Sequence, residues 1–309
     1  MLESLSVLGR QVETLSRAGS WEKVLAIMVQ VVADEQGQDA AGRRLFGITL
    51  KRMGTSSVLR EIARLAVLPK YEQDGLTVLR RFGGDGTDVM LDLLIGAEDI
   101  GIRRAAFNAV KTLGKGTDKL LALFNHKGWF VVRQAAELVG EMQLESAVSS
   151  LAGALSHSDE RVRKAVALAL AKIGTPSTVD PVRRALRDAD PGVRQQVAIG
   201  IGGRQASALA MIVVVAMEEE KDPEVERELT LALGRIGSPD AVQALIKLAL
   251  PAGMLFNRKP NAKRVASVEG LRLAGTPAAV GALQGLAGDG DKSVRAAAQD
   301  ALQAIKPKG

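Results

Sequence analysis

A fixed spacing of about thirty residues constrains this chain more than any single motif. Val162-Arg163-Lys164-Ala165-Val166 leads to Lys172-Ile173-Gly174-Thr175-Pro176, and Val225-Glu226-Arg227 leads to Arg235-Ile236-Gly237-Ser238-Pro239. Lys263-Arg264-Val265 leads in the same way to Leu273-Ala274-Gly275-Thr276-Pro277. In all three the glycine follows the first residue by twelve positions. A period of this size marks a solenoid, in which each unit buries its apolar face only against its neighbours. The expected fold class is all-α, and the 309 residues are expected to form a single elongated domain, 1–309.

The punctuation explains the period. Gly174, Gly237 and Gly275 stand where a helix ends in a left-handed residue, the following Thr or Ser caps the next helix, and Pro occupies its first position. Gly54-Thr55-Ser56, Gly86-Thr87-Asp88 and Gly116-Thr117-Asp118 are read as proline-free copies of the same device. A second mark is a short acid at the start of the other helix of each unit: Asp159, Asp190, Asp222 and Asp291, before Val162-Arg163, Val193-Arg194, Val225 and Val294-Arg295. Ile102-Arg103 and Val132-Arg133 are read as earlier copies. Apolar residues at 162, 165, 166, 169, 170 and 173 have helical spacing. Helix pairs are expected near 2–36, 38–68, 70–97, 99–126, 128–156, 158–188, 189–220, 221–250 and 258–287, with a last helix near 291–305.

The pattern Asp-x-x-Val-Arg-x-Ala-x-x-x-Leu-x-x-Ile-Gly-Thr/Ser-Pro resembles the HEAT-repeat family, in particular the bacterial phycobilisome-lyase-like form. It covers residues 98–306 well and divergent N-terminal repeats, 1–97, more loosely. The resemblance implies a right-handed α-α superhelix, a HEAT-repeat solenoid of about nine helix pairs plus a terminal helix. It further implies that the helices opening with Val-Arg line the concave face and the Gly-Thr-Pro helices the convex face. The unit from Val193 departs from the pattern, because Gly200, Gly202 and Gly203 weaken its helix.

Composition narrows the chemistry. Hydrophobic residues make up 47% of the chain but aromatics only 3%, so the core must be aliphatic. No cysteine is present, which excludes disulfides, thiolate metal sites and thiol catalysis. The first residues carry no basic segment before an apolar stretch, and a cytoplasmic location is expected. The longest apolar run, residues 208–217, is half a membrane span and is read as a buried helix.

His126 and His157 have no neighbouring ligand set, and neither a nucleophile elbow nor a phosphate-binding loop occurs. No enzyme activity, cofactor, metal or membrane insertion is expected. Gly83-Gly84-Asp85-Gly86 and Gly288-Asp289-Gly290-Asp291 are read as turns. The recurring Arg103, Arg133, Arg163, Arg194 and Arg295 are read as structural, bonding to acids and carbonyls of adjacent units.

Candidate binding residues fall in three groups. Arg104, Lys111, Lys164, Lys172, Arg204, Arg227, Arg235 and Arg272 form a basic series on or beside the expected concave helices, mixed there with glutamates. Trp129 and Phe130 open one such helix, and aromatics are enriched at binding hot spots. Met254, Leu255, Phe256, Arg258 and Lys259 lie in a surplus segment that lengthens one repeat. A non-enzymatic scaffold that binds a partner protein through the concave surface and the inserted loop is the leading expectation. The alternatives are a nucleic-acid-binding protein using the basic series, since the formal net charge is +6, and a bilin lyase-like subunit suggested by the repeat frame alone.

Overall fold

The computed structural model describes residues 2–114, 117–202, 204–251 and 261–305; the side chains of Leu2, Thr117, Arg204 and Gln205 are outside that description. Among the described residues all regular structure is helical, and it forms two compact units, residues 1–123 and 124–309.

The first unit holds four helix pairs: α1 (Leu2–Arg17) with α2 (Trp21–Gln36), α3 (Ala40–Met53) with α4 (Ser56–Ala66), α5 (Glu72–Arg81) with α6 (Gly84–Gly96), and α7 (Ile100–Leu113) with α8 (Thr117–Ala122). Asp39, Thr55 and Asp99 cap α3, α4 and α7 by accepting from Gly42, Val58 and Ile102 N–H groups. The buried Glu35 of α2 takes a two-pronged bond from Arg81 of α5, at 2.5 and 2.6 Å. The helix expected to start at Thr87 begins one turn earlier, at Gly84 after Gly83 (φ +57°). Thr87 is therefore buried inside α6 rather than capping it. Gly86 is required for a different reason: a Cβ there would lie 2.1 Å from the Leu79 carbonyl oxygen.

The second unit continues the pairing: α9 (Trp129–Glu141) with α10 (Val148–Ala154), α11 (Glu160–Ile173) with α12 (Val179–Ala185), α13 (Pro191–Gly200) with α14 (Ala210–Glu219), α15 (Pro223–Ile236) with α16 (Pro239–Ala249), α17 (Asn261–Ala274) with α18 (Pro277–Leu286), and finally α19 (Lys292–Ile305). Odd-numbered helices pack successively on one another and form one layer; the even-numbered helices form the other and meet each other over much less of their length. Between the layers lies an aliphatic core that includes Leu138, Val166, Leu170, Val182, Val197, Leu233, Leu245 and Leu271, all fully buried.

Caps recur as the spacing predicts. Gly174, Gly237 and Gly275 have φ of +61°, +59° and +59°, and Ser238 and Thr276 accept from the N–H three residues on. Thr175 differs: its hydroxyl pairs with Ser177 and a 3-10 turn precedes α12. In the unit of α9 the left-handed place is taken by Gln143 (φ +50°), the single non-glycine residue with positive φ among those described.

Small residues set the spacing of the odd layer. A Cβ on Gly234 of α15 would lie 2.4 Å from the Gly270 carbonyl oxygen and 2.8 Å from its Cα on α17. Gly140 of α9 meets Ala169 of α11 at 2.8 Å, and Gly200 of α13 meets the Leu168 carbonyl at 2.7 Å. Gly200 thus serves two ends, close approach to α11 and the early stop of α13, which has ten residues where α11 and α15 have fourteen. Gly234→Ala is expected to cost roughly 1–3 kcal/mol, because backbone rather than a flexible side chain must move. Gly281→Ala, on an open face of α18, is expected to add roughly 0.4–1 kcal/mol. Urea unfolding of the two variants checks the pair, and equal midpoints would contradict close packing as the reason for Gly234.

Candidate interaction site

An arginine brace recurs at the start of several odd-numbered helices. Arg163, four residues after the cap Asp159, donates to both Asp188 carboxylate oxygens (2.8 and 3.2 Å) and to the His157 and Ser158 carbonyls (3.0 and 3.2 Å). Arg194 stands in the same place after Asp190 and binds Glu220 through two 2.8 Å bonds and the Asp188 carbonyl at 2.8 Å. Arg264 binds Asp289 (2.5 Å) and the Ala249 carbonyl (2.8 Å), and Arg295 closes on the Asp289 carbonyl. In the first unit Arg103 reaches the Ala97 carbonyl at 3.4 Å. One guanidinium thereby ties a helix start to its own preceding loop and, at 163, 194 and 264, to the next repeat's acid.

Those acids also organise the following turn. Asp188, Glu220 and Asp289 each accept the N–H of the residue two places on, at 2.9 Å. His157 takes the same place before Asp159, its Nδ1 accepting at 3.0 Å, and His126 does so before Gly128 at 2.9 Å. Both histidines therefore act as turn acceptors.

Arg133 is a correction to the sequence reading. With Gly128 as the cap of α9, the fourth residue on is Val132, which is buried, and Arg133 falls one place late. The brace and its acid are lost together, Val132 standing for the arginine and His157 for the carboxylate. Arg133 turns instead over the Trp129 ring (5.6 Å to the centroid) and to 3.3 Å from Glu137, and its buried Nε lacks a well-directed acceptor. Burial pushes the Glu137 carboxyl above its usual range, against the opposing pull of Arg133 and Lys172.

Trp129 and Phe130 occupy the first turn of α9 and meet edge to face, centroids 6.3 Å apart. The Arg161 guanidinium lies 3.5 Å from the Trp129 centroid while gripping Asp159 by two bonds of 3.0 and 2.7 Å. That grip is the chief reason the Asp159 carboxyl falls to about 2. Trp129 is thus half-buried under a neighbouring helix start and is a packing element, whereas Phe130 is 41% exposed.

The basic series does not form a free stripe in this unit. Lys172 pairs with Glu141 at 2.5 Å, Lys164 with Asp190 at 3.4 Å, Arg227 with Glu228 at 3.0 Å, and Arg272 with Glu269 by two bonds. Arg235 is partly buried and donates to the Ala198 and Ile201 carbonyls (2.7 and 3.0 Å), capping the shortened α13; burial lowers its pKa. Arg104 and Lys111 lie exposed on α7 of the first unit. The Arg204 side chain and Met254, Leu255, Phe256, Arg258 and Lys259 lie outside the described residues. Sequence reasoning did not single out Arg161; the Asp159-Glu160-Arg161 spacing at a helix start is its signal. Among the described residues no His, Asp and Glu cluster is suited to a metal, and no helix is long and apolar enough to cross a membrane.

The family model for HEAT repeats matches residues 117–191 and 181–251, the region of the Arg163 and Arg194 braces. Residues 117–251 are HEAT repeats. No curated protein matches it in sequence. Among solved structures, an engineered protein from a structural-genomics programme is 18% identical, with coverage of 100% of this chain and 95% of its own and a TM-score of 0.41. Human deoxyhypusine hydroxylase in complex with glycerol is 17% identical, with 94% and 99% coverage and a TM-score of 0.33. TM-scores this low do not establish a common arrangement of the whole chain.

The braces carry a pH signature. Hydrogen bonds from Arg194 hold Glu220 below its usual range against burial, and the Asp222 and Lys221 N–H groups add to them. Burial pushes Asp188 up, but Arg163 and the Asp190 N–H outweigh it, so it also titrates low. Arg264 lowers Asp289 in the same way. A depressed native pKa contributes stability that is complete above the unfolded value of about 4 and is lost as pH falls through the native value. The melting temperature is therefore expected to hold from pH 7 to 5 and to fall below about pH 4. Arg163→Ala is expected to cost about 2–4 kcal/mol at pH 7 and to blunt the acid-dependent fall, both followed by thermal melts across pH. An unchanged melt at pH 3 would refute the coupling.

Proposed function

We propose that the chain is a non-enzymatic scaffold that binds a partner protein on the odd-numbered layer of its second unit, with the Phe130 corner as one anchor. The observation that carries this reading is the contrast at α9: Trp129 is consumed by packing under Arg161, while Phe130 beside it stays exposed in the first turn of a well-packed helix. A rigid aromatic costs little ordering entropy when it docks, which suits a contact anchor. The Gly140–Ala169 and Gly234–Gly270 approaches draw the odd helices together more than the even ones, which supports the odd layer as the concave side of this unit.

Nucleic-acid binding through the basic series is the weaker reading. The cations at 164, 172, 227 and 272 already face carboxylates, and Arg235 is committed to backbone carbonyls. Neutralised cations release few counterions on meeting phosphates. The surplus segment with Phe256 remains part of the scaffold proposal as a second contact.

Affinity capture from a lysate, quantified for each variant, tests the scaffold. Phe130→Ala is expected to reduce recovery of the main partner at least fivefold with an unchanged melting temperature. Trp129→Ala is expected to lower the melting temperature by several degrees, since it removes a cation–π contact and an aromatic from a packed corner. Equal recovery with wild type and Phe130→Ala would remove this anchor. Duplex DNA is expected to show no binding at 150 mM salt by anisotropy, and salt-sensitive binding there would favour the alternative.

A further inference from the structure

The apolar run of α14, residues 210–217, is Ala-Met-Ile-Val-Val-Val-Ala-Met, with apolar side chains on every side. A helix of that kind is expected in a fully enclosed position. Yet α14 lies in the even layer, where one face suffices for packing. Ala210, Val213 and Met217 fill that face, while Met211 and Val215 are 57% and 45% exposed. They stand four residues apart, hence on one side of the helix. The expectation of a buried helix is therefore met by only part of it.

Met211 and Val215, with Leu186, floor a groove between α12 and α14 of about 560 Å³. Its exposed charges without side-chain partners differ in sign between the two edges. Arg187 and Arg183, the latter paired with Asp180, line the α12 edge and Glu219 the α14 edge, while Asp188, Arg194, Glu220 and Lys221 close one end. Arg187 and Glu219 are exposed and have no side-chain partner among the described residues, unlike Glu220, which Arg194 holds. A ten-residue helix is about 15 Å long, so the groove offers much less than the roughly 800 Å² per partner of a stable dimer. Its length suits a single short helix instead.

We propose that this groove docks an amphipathic helix of a partner protein, about three turns long. Its apolar residues at i, i+3 or i+4 and i+7 cover Met211, Val215 and Leu186, its acidic edge faces Arg187, and its basic edge faces Glu219. The site is separate from the Phe130 surface and does not depend on it.

A phage-displayed library of helical peptides, randomised at these positions, is selected on the full chain and counter-selected on Met211→Glu. The selected peptides are expected to carry the stated apolar spacing and charged edges. The consensus peptide, followed by fluorescence anisotropy, is expected to bind at least tenfold more weakly to Val215→Glu and at least threefold more weakly to Arg187→Glu. Phe130→Ala is expected to leave its affinity unchanged, which separates this site from the surface proposed above. Unaltered helical circular dichroism shows that the exposed substitutions leave the fold intact. No enrichment over the Met211→Glu variant, or a consensus peptide that binds Val215→Glu as tightly as wild type, overturns the proposal. So does concentration-dependent dimerisation in sedimentation that Met211→Glu abolishes, because a second copy would then cover the face.

Discussion

The distance between successive odd-numbered helices governs the second unit. Gly140 against Ala169, Gly200 against Leu168 and Gly234 against Gly270 bring backbones so close that no larger side chain fits between them. Aliphatic side chains fill the space between the layers, so an aromatic content of 3% suffices for a continuous core. Close backbones also leave little room for error in register. Each arginine brace answers that need, since its planar donors fit one arrangement of its own loop and the next repeat's acid.

The places where the brace fails are informative because they fail in a coordinated way. At α9 the arginine becomes Val132 and the matching acid becomes His157, so neither charge is left without its partner. Removing only one would leave a desolvated ion, the costly outcome for a buried pair. At α15 the same position is Glu226, which pairs with Lys263 of α17 and so keeps a tie between repeats with the sign reversed. The tie between neighbours is the invariant, and its chemistry varies. Where it is absent, at α9, Trp129 takes over the joint by lying under Arg161 of the next helix start.

Much of this frame was legible in the chain. The helix pairs, the left-handed glycines at 174, 237 and 275, and the capping acids follow from spacing and local stereochemistry, which are properties of consecutive residues. The misreadings share a cause. Val131 and Val132 offer two registers for Arg133, and Gly128 has no side chain to mark the cap, so the slip by one is invisible without the fold. Thr87 looked like a cap because the turn formed by Gly83 lies just upstream. The basic series looked like a stripe because the partners of Lys172 and Lys164 lie 31 and 26 residues away, on adjacent repeats. Arg272 with Glu269 and Arg227 with Glu228 are the pairs of this series that lie within one helix.

The same locality explains why α14 was misjudged and why it matters. An apolar run reports how much surface a helix must hide, but not how much its own fold can hide. In a two-layer repeat an even-numbered helix has the odd layer beneath it and even neighbours beside it but no third layer over its outer face, and the supply of cover is fixed by the architecture before the sequence of that helix is considered. The lengths of α13 and α14, ten residues each, leave no extra turn to fold over the groove. Arg235 spends its donors on the carbonyls that the early end of α13 exposes, so the repair goes to the odd layer and not to the even one. Met211 and Val215 are thus apolar in excess of what the repeat can bury, and charges of opposite sign without side-chain partners, Arg187 and Glu219, flank them. Surplus apolar surface between unpaired opposite charges is a demand that the chain's described residues leave unmet.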